Sequence, residues 1–325
     1  MELNKFLAEW HNDNPRILVH TSGSTGKPKP LMVEKRRMLN SARITCDFLG
    51  LKPDDTALLC MPLDYIAGKM MVVRSLQRDL RLTSVRPSSH PLADDALPSF
   101  TFAAMVPMQV YNTLKVPCER ERLMHIRHLI IGGGAISDEL AQMIKPLPNA
   151  VWSTYGMTET LSHIALRRLN GPDASLWYTP FDGVGISLNA DGCLVIDAPE
   201  VCAEPLVTND IAQLRTDDRT GKTLFRIKGR KDNVVCSGGI KIQIEEVEEA
   251  LRPHLSAPFM IVKKQDEMLG EKAILLTEST DLTHIEEICR NTLPKYWVPR
   301  EFLHIDRLPL TETGKPKRTL PFTPR

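Results

Sequence analysis

Over the first half of the chain, short apolar runs alternate with amphipathic stretches. Met1–Asn14 puts Phe6, Leu7 and Trp10 on one helical face, which predicts a short lead-in helix. Ile17–His20 reads as a strand that runs straight into a polar loop. Lys35–Leu49 carries Met38, Ala42, Thr45 and Leu49 at helical spacing. Thr56–Met61 reads as a buried strand, followed by a turn at Met61–Gly68 and a helix over Lys69–Gln77. Leu82–Val85, Phe100–Val106, Leu129–Ile131 and Ala150–Ser153 are strand-like runs, with helical patterns at Gln109–Leu114 and Glu139–Ile144 between some of them. This alternation predicts an α/β fold built on a mostly parallel sheet with helices on both faces.

From about Ser162 the pattern changes. Ile186–Leu188, Cys193–Ile196, Ala212–Arg215 and Thr223–Ile227 are short strands separated by turn signals such as Asp191-Gly192, which predicts an antiparallel β-region. A polar stretch, KGRKDN, then precedes a second alternation. Ile244, Val247 and Leu251 give one helix face, and Glu245, Glu246, Glu248 and Glu249 read as a solvated face that complements the helix dipole. Phe259–Lys263, Ala273–Thr277 and Phe302–Ile305 read as strands and Ile285–Thr292 as a helix. The division predicted is an N-terminal domain over residues 1–231 and a small α+β domain over residues 232–325.

Composition narrows the function classes. The formal charge is +1, so there is no bulk attraction to nucleic acid or to a membrane surface. No apolar run approaches the ~20 residues of a membrane span. The N-terminal stretch carries acids and lacks a hydrophobic segment, so it does not read as a signal peptide. The seven cysteines are scattered and form no CxxC pair, which predicts reduced thiols and a cytoplasmic setting. His125 and His128 have HxxH spacing without a third ligand, and read as a surface helix end rather than a metal site.

The candidate chemistry begins at Thr21–Lys29, TSGSTGKPK. Gly23 and Gly26 let the backbone turn its N–H groups toward an anion, while Thr21, Ser22, Ser24 and Thr25 add hydroxyls and Lys27 and Lys29 add cationic donors. Such a loop is either a polyphosphate grip or a flexible Gly/Ser turn. It is not a Walker A loop, because two residues separate the glycines and Pro28 follows Lys27. Other segments add to it. Gly132-Gly133-Gly134-Ala135 follows one strand, where glycines would admit a flat ring against bare backbone. Tyr155-Gly156-Met157-Thr158-Glu159-Thr160 follows the next strand; Tyr155 can stack on a purine, Thr158 can bond a phosphate and Glu159 can hold Mg²⁺. By itself this segment also reads as a strand end with a capped helix start.

These segments, in this order, resemble the adenylate-forming superfamily of acyl-CoA synthetases, luciferases and peptide-synthetase adenylation domains. The resemblance implies that Thr21–Lys29 is the phosphate loop, that Gly133, Gly134 and Ala135 line the adenine pocket with Tyr155 and Gly156, and that Thr158 and Glu159 are catalytic. It implies that Asp210, in Val207-Thr208-Asn209-Asp210, accepts the ribose hydroxyls, with Asn209 where the superfamily has Gly. Arg230 would contact the ribose and Asp232 would be the hinge of a mobile C-terminal domain. Leu308–Lys315 matches the LPxTxxGK loop, which makes Lys315 the lysine that neutralises charge on the α-phosphate. Gly238 and Gly239 would reach the CoA channel. The substrates implied are ATP, CoA and a small carboxylic acid, with Mg²⁺ as cofactor.

Two departures stand out. The superfamily carries a longer segment ahead of this loop than the 20 residues before Thr21, and Pro30 stands where it usually has Gly. Within the superfamily, Met157–Ala165 and Cys236–Lys241 are similar to the o-succinylbenzoate–CoA ligase family of menaquinone synthesis. In that frame Tyr65 gates the acyl pocket. Lys69, opening the next helix, is the first candidate for a second substrate carboxylate, and His163 is the lesser one. The reading against this is a solvated Lys69 on a helix surface.

Overall fold

The computed structural model describes residues 1–20, 30–310 and 316–318. The phosphate-loop segment Thr21–Lys29 and Lys315 therefore lie outside the described residues. The chain forms two compact units. One comprises Met1–Ser187, Val195–Leu206 and Leu214–Arg226; the other comprises Leu188–Leu194, Val207–Gln213 and Ile227–Arg325.

The first unit opens with α1 (Leu3–His11), β1 (Arg16–His20), β2 (Pro30–Glu34) and α2 (Lys35–Leu49). Next come β3 (Thr56–Leu59), α3 (Ile66–Arg78), β4 (Arg81–Ser84), β5 (Phe102–Met105), α4 (Pro107–Lys115) and α5 (Pro117–Met124). β6 (His128–Ile131), α6 (Asp138–Ile144), β7 (Ala150–Met157), β8 (Ser162–Arg168) and β9 (Thr179–Pro180) follow. Seven strands form one sheet in the order β4-β3-β5-β6-β7-β8-β9. The pairs from β4 to β7 are parallel, and β7–β8 and β8–β9 are antiparallel. The α/β expectation holds. All four residues of β5 are buried, as a parallel strand covered on both faces requires.

Four further strands, β10 (Gly185–Leu188), β11 (Cys193–Asp197), β12 (Leu206–Thr216) and β13 (Thr223–Arg230), form a second sheet in that order. The other unit continues after a 3₁₀ turn at Lys231–Asn233 with β14 (Val234–Ser237), β15 (Ile240–Gln243), α7 (Ile244–Leu251), β16 (Phe259–Asp266), β17 (Gly270–Thr277), α8 (Leu282–Thr292) and β18 (Glu301–His304). Its sheet runs β15-β14-β17-β16, with β18 parallel to β17. Val235, Ile242, Val247, Leu251, Leu275, Ile285 and Cys289 form its core.

Several elements differ from the pattern-based reading, each for a local reason. β1 does not join the large sheet; it pairs with β2 as a separate two-stranded ribbon, from Arg16↔Glu34 to His20↔Pro30. α3 begins at Ile66, so Lys69 lies inside its first turn rather than at its start. α5 has a sequence, PCERERLM, with little apolar periodicity, so the pattern does not predict it. β7 runs through Tyr155 and Gly156 to Met157 and turns back as β8, so no capped helix follows it. Glu248 is not on a solvated face. It is buried, accepts from the Ile261 amide at 2.8 Å, and pairs through both oxygens with Arg318 at 2.6 and 2.8 Å.

All seven cysteines are free thiols. No helix among the described residues is long and apolar enough to cross a membrane.

His125 caps the end of α5, but His128 opens β6 half-buried, and neither ring nitrogen has a partner among the described residues. Burial, with Arg127 and Arg168 adding repulsion against weak attraction from Asp55, lowers its pKa to about 4. The native state thus resists a proton that the unfolded chain takes up near pH 6.5. The stability this provides is present above pH 6.5 and is lost as pH falls toward 4. Urea midpoints measured across that window should fall less steeply in His128→Asn than in the wild type. Parallel profiles would remove His128 as a source of acid sensitivity.

Candidate active site

The two-stranded ribbon sets the ends of the phosphate-loop segment. His20, the last described residue before it, faces Pro30, the first after it, in register. Pro30 is the first residue of its strand, where a missing N–H is tolerated. Lys69 reaches this ribbon from α3. It is only 2% exposed, its ammonium donates to the Leu18 carbonyl at 2.6 Å, and it lies 5.9 Å from the centroid of the Phe6 ring. Burial lowers its pKa, with Glu9 and Asp64 opposing. Lys69 is therefore not a solvated helix residue. Tyr65 precedes α3 and is exposed, and its neighbour Asp64 accepts from the Met1 amino group at 2.7 Å.

The carboxyl end of β6 lies beside the middle of β7, with Ile131 opposite Ser153, and β7 runs on to its own carboxyl end at Met157. Such strand ends are where open α/β sheets bind ligands. After β6, Gly133 has φ +82°, a left-handed conformation that favours glycine. A Cβ on Gly132 would lie 2.5 Å from the Thr154 hydroxyl, so that backbone sits directly against β7. Gly134 and Ala135 lie in the segment that leads to α6, whose N-cap is Ser137.

On β7, Tyr155 packs within 5.0 Å of Phe225 and 5.8 Å of Tyr178, ring centroid to centroid. Gly156 marks a register shift between β7 and β8. Beyond it, Thr158–Leu161 is a tight turn rather than a helix start. The Leu161 amide donates to the Thr158 carbonyl at 2.9 Å, and Leu161 takes φ +61°. The Thr160 hydroxyl accepts from the Met157 amide at 2.9 Å and donates its one proton to the Ser162 carbonyl at 2.6 Å, tying both strands to the turn. Thr158 is buried and Glu159 is exposed, with no ion-pair partner among the described residues.

One functional candidate was not singled out in the sequence. Arg74 on α3 is 2% exposed. Its guanidinium donates to the Ser162 hydroxyl at 2.7 Å, its Nε has no partner, and no carboxylate pairs with it among the described residues. Burial lowers its pKa to about 10. The available signal is a lone cation inside the apolar run Met70–Leu76. Ser162 also meets His163 Nδ1 at 3.1 Å, and His163 Nε2 meets the Thr45 hydroxyl at 3.2 Å. His163 is buried, and burial, with Arg74 adding repulsion, lowers its pKa well below the ordinary value.

In the other unit, three predicted residues come together. Arg230 donates to Asp210 at 3.3 Å and to Asp232 at 3.1 Å, and Asn209 donates to Asp232 at 3.2 Å. Thr208–Asp210 lies within β12, so Asn209 is extended and needs no left-handed turn. Asp232 occupies the 3₁₀ turn after β13. Gly238 (φ +56°) and Gly239 (φ +82°) form the two-residue hairpin between β14 and β15, the geometry of a type I′ turn. Near Lys315, Leu310 bridges Pro316, and the Lys317 amide donates to the Pro309 carbonyl at 2.9 Å.

Gly156 is the most constrained of these positions. A Cβ there would lie 2.2 Å from the Ser162 carbonyl oxygen and 2.4 Å from the His163 Cα, both backbone atoms. Gly156→Ala should destabilise the first unit by about 1–3 kcal/mol, as overpacking does. A lowered urea midpoint at unchanged m-value would show it. An unchanged midpoint would mean that the β7–β8 register can shift without cost.

The chain matches the family model of the AMP-binding enzyme over residues 4–203. A 2-succinylbenzoate–CoA ligase from Bacillus mycoides is 26% identical over 334 residues, covering 94% of this chain and 69% of that protein. A crystal structure of an acyl-CoA synthetase (AMP-forming)/AMP-acid ligase II-like protein from Dyadobacter fermentans is 33% identical, with TM-score 0.67 over 97% of this chain and 91% of the other. The o-succinylbenzoate coenzyme A synthetase of Bacillus subtilis, solved with ATP and magnesium ion, gives TM-score 0.73 at 24% identity, over 93% of this chain and 68% of the other. The adenylate-forming fold and the order of the motifs agree with this match, and the chain belongs to the AMP-binding enzyme family.

Proposed function

We propose that this chain activates a dicarboxylic aryl acid, o-succinylbenzoate, and joins it to CoA. The family match together with the ligase relatives supports the reaction class: an AMP-forming acid–CoA ligase that uses ATP and magnesium. One carboxylate of the acid attacks the α-phosphorus of ATP and expels pyrophosphate. The CoA thiol then attacks the acyl carbonyl and expels AMP. The product, o-succinylbenzoyl-CoA, belongs to menaquinone synthesis.

The observation that carries the choice of acid is Arg74. A buried guanidinium without a carboxylate partner is costly, and it becomes favourable when an anionic ligand completes it. An acid with a spare carboxylate would do so, through the planar donor fork that suits carboxylates. Arg74 therefore takes the role that the sequence reading assigned to Lys69 and His163. The name of the Bacillus mycoides relative supports the same acid.

The remaining roles follow the motifs. Residues 21–29 would hold the ATP phosphates. Gly133, Gly134, Ala135, Tyr155 and Gly156 would form the adenine site, and Asp210 and Arg230 the ribose site. Glu159 fits Mg²⁺, which prefers one or two carboxylates plus phosphate oxygens and water, because its exposed carboxylate lies outside any ion pair among the described residues. The cation would neutralise phosphate charge there. Thr158 would bond a phosphate oxygen, and Lys315 would stabilise the charge that develops on the α-phosphate. Asp232 would serve as the hinge, and Gly238 and Gly239 would approach CoA.

Two variants test this reading. Arg74→Met should lower kcat/KM for o-succinylbenzoate by ~30- to 1000-fold, the effect of losing a desolvated charge pair. It should harm 4-oxo-4-phenylbutanoate, which lacks the aryl carboxylate, far less. Equal effects on both acids would contradict the assignment. Lys315→Ala should abolish pyrophosphate release from ATP and acid while sparing thioester formation from preformed acyl-adenylate. Equal loss of both half-reactions would give Lys315 another role.

A further inference from the structure

Arg74, Ser162, His163 and Thr45 come from α3, β8 and α2, yet they form one buried hydrogen-bonded chain. Its proton directions are fixed from both ends. At one end Arg74 can only donate, so the Ser162 hydroxyl accepts from it at 2.7 Å. At the other end the Thr45 hydroxyl donates to the Ser41 carbonyl, one helical turn back, at 3.0 Å. Its single proton is committed there, so Thr45 must accept from His163 Nε2. A neutral imidazole with a proton on Nε2 has a lone pair on Nδ1, and Nδ1 therefore accepts from Ser162.

The chain runs in one direction: Arg74 to Ser162, Ser162 to His163, His163 to Thr45, Thr45 to Ser41. A second proton on His163 would leave the Ser162 hydroxyl proton without this acceptor and set two cations in one buried site. Both ring nitrogens of His163 are also occupied, by Thr45 and by Ser162, so neither is left for a substrate carboxylate. The Phe181 ring packs against the imidazole at 5.5 Å between centroids.

We propose that His163 is a positioning residue for acid specificity: by accepting the Ser162 proton it holds Ser162 as an acceptor for Arg74, and so aims the guanidinium at the acid's second carboxylate. The proposal rests on the role given to Arg74 above. His163 touches neither the acid nor ATP; it acts through Ser162. Thr45 acts one step further away, by fixing which nitrogen of His163 carries the proton.

The test is the ratio of kcat/KM for o-succinylbenzoate to that for 4-oxo-4-phenylbutanoate. A ratio does not depend on the fraction of a variant that is folded, so it separates positioning from stability. His163→Leu removes the acceptor for Ser162 and should lower the ratio by about 3- to 10-fold, the factor that one neutral hydrogen bond is worth. The change should fall mainly on KM for the dicarboxylate. His163→Asn, whose side-chain oxygen lies near the Nδ1 position, should recover most of the ratio. Thr45→Val should lower it in the same sense by a smaller factor. If Arg74→Met collapses the ratio and His163→Leu leaves it unchanged, the proposal fails while the role of Arg74 stands. If Arg74→Met also leaves it unchanged, both fail. A ratio lowered equally by His163→Leu and His163→Asn would show that packing, not the hydrogen bond, is what His163 supplies, and would overturn the proposal as well.

Discussion

Between β7 and β8 the backbone of Gly156 lies so close to the Ser162 carbonyl that no side chain fits. The geometry of the first unit's site depends on this contact. Here the large sheet changes from parallel to antiparallel pairing, and the register shifts by one residue between Tyr155 and Gly156. A one-residue shift moves side chains to the opposite face of a strand. It leads β7 into the turn that exposes Glu159 and buries Thr158, and it brings Ser162 onto the guanidinium of Arg74. The turn that carries Thr158 and Glu159 and the contact of Ser162 with the buried cation both follow this tight backbone approach.

α3 shows how one helix serves two places. Gly68–Ser75 is buried all round, which is unusual for a segment with two cations. Lys69 and Arg74 are five residues apart, about 140° around the helix. Lys69 turns to the β1–β2 ribbon and satisfies a β1 carbonyl. Arg74 turns to β8 and finds a neutral hydroxyl. The first cation has a backbone acceptor in the folded chain. The second keeps one guanidinium nitrogen, Nε, without a partner among the described residues.

Much of this was legible in the sequence where the signal is local. The helix at Lys35–Leu49 follows from its apolar spacing with both ends as expected. The order of the motifs along the chain carries the superfamily resemblance. What the sequence did not disclose was long-range. Ser162 lies 88 positions from Arg74, and Thr45 lies 118 from His163. No periodicity links them, so Arg74 read as one charge in a helix and His163 as a candidate ligand. Glu248 was misread for the same reason: its partner Arg318 is 70 positions away. The ribbon pairing of β1 with β2 was hidden because a strand's apolar run does not say which sheet it joins.

The central claim is that a buried guanidinium with no carboxylate partner among the described residues selects an acid with a second carboxylate. Thioester formation by the wild-type enzyme, with ATP, Mg²⁺ and CoA, measures this directly on a panel of o-succinylbenzoate, 4-oxo-4-phenylbutanoate, benzoate and a medium-chain fatty acid. The account predicts a kcat/KM for o-succinylbenzoate at least ~30-fold above that of the analogue lacking the aryl carboxylate, consistent with one desolvated charge pair. A monocarboxylic acid turned over as well as or better than o-succinylbenzoate would contradict it.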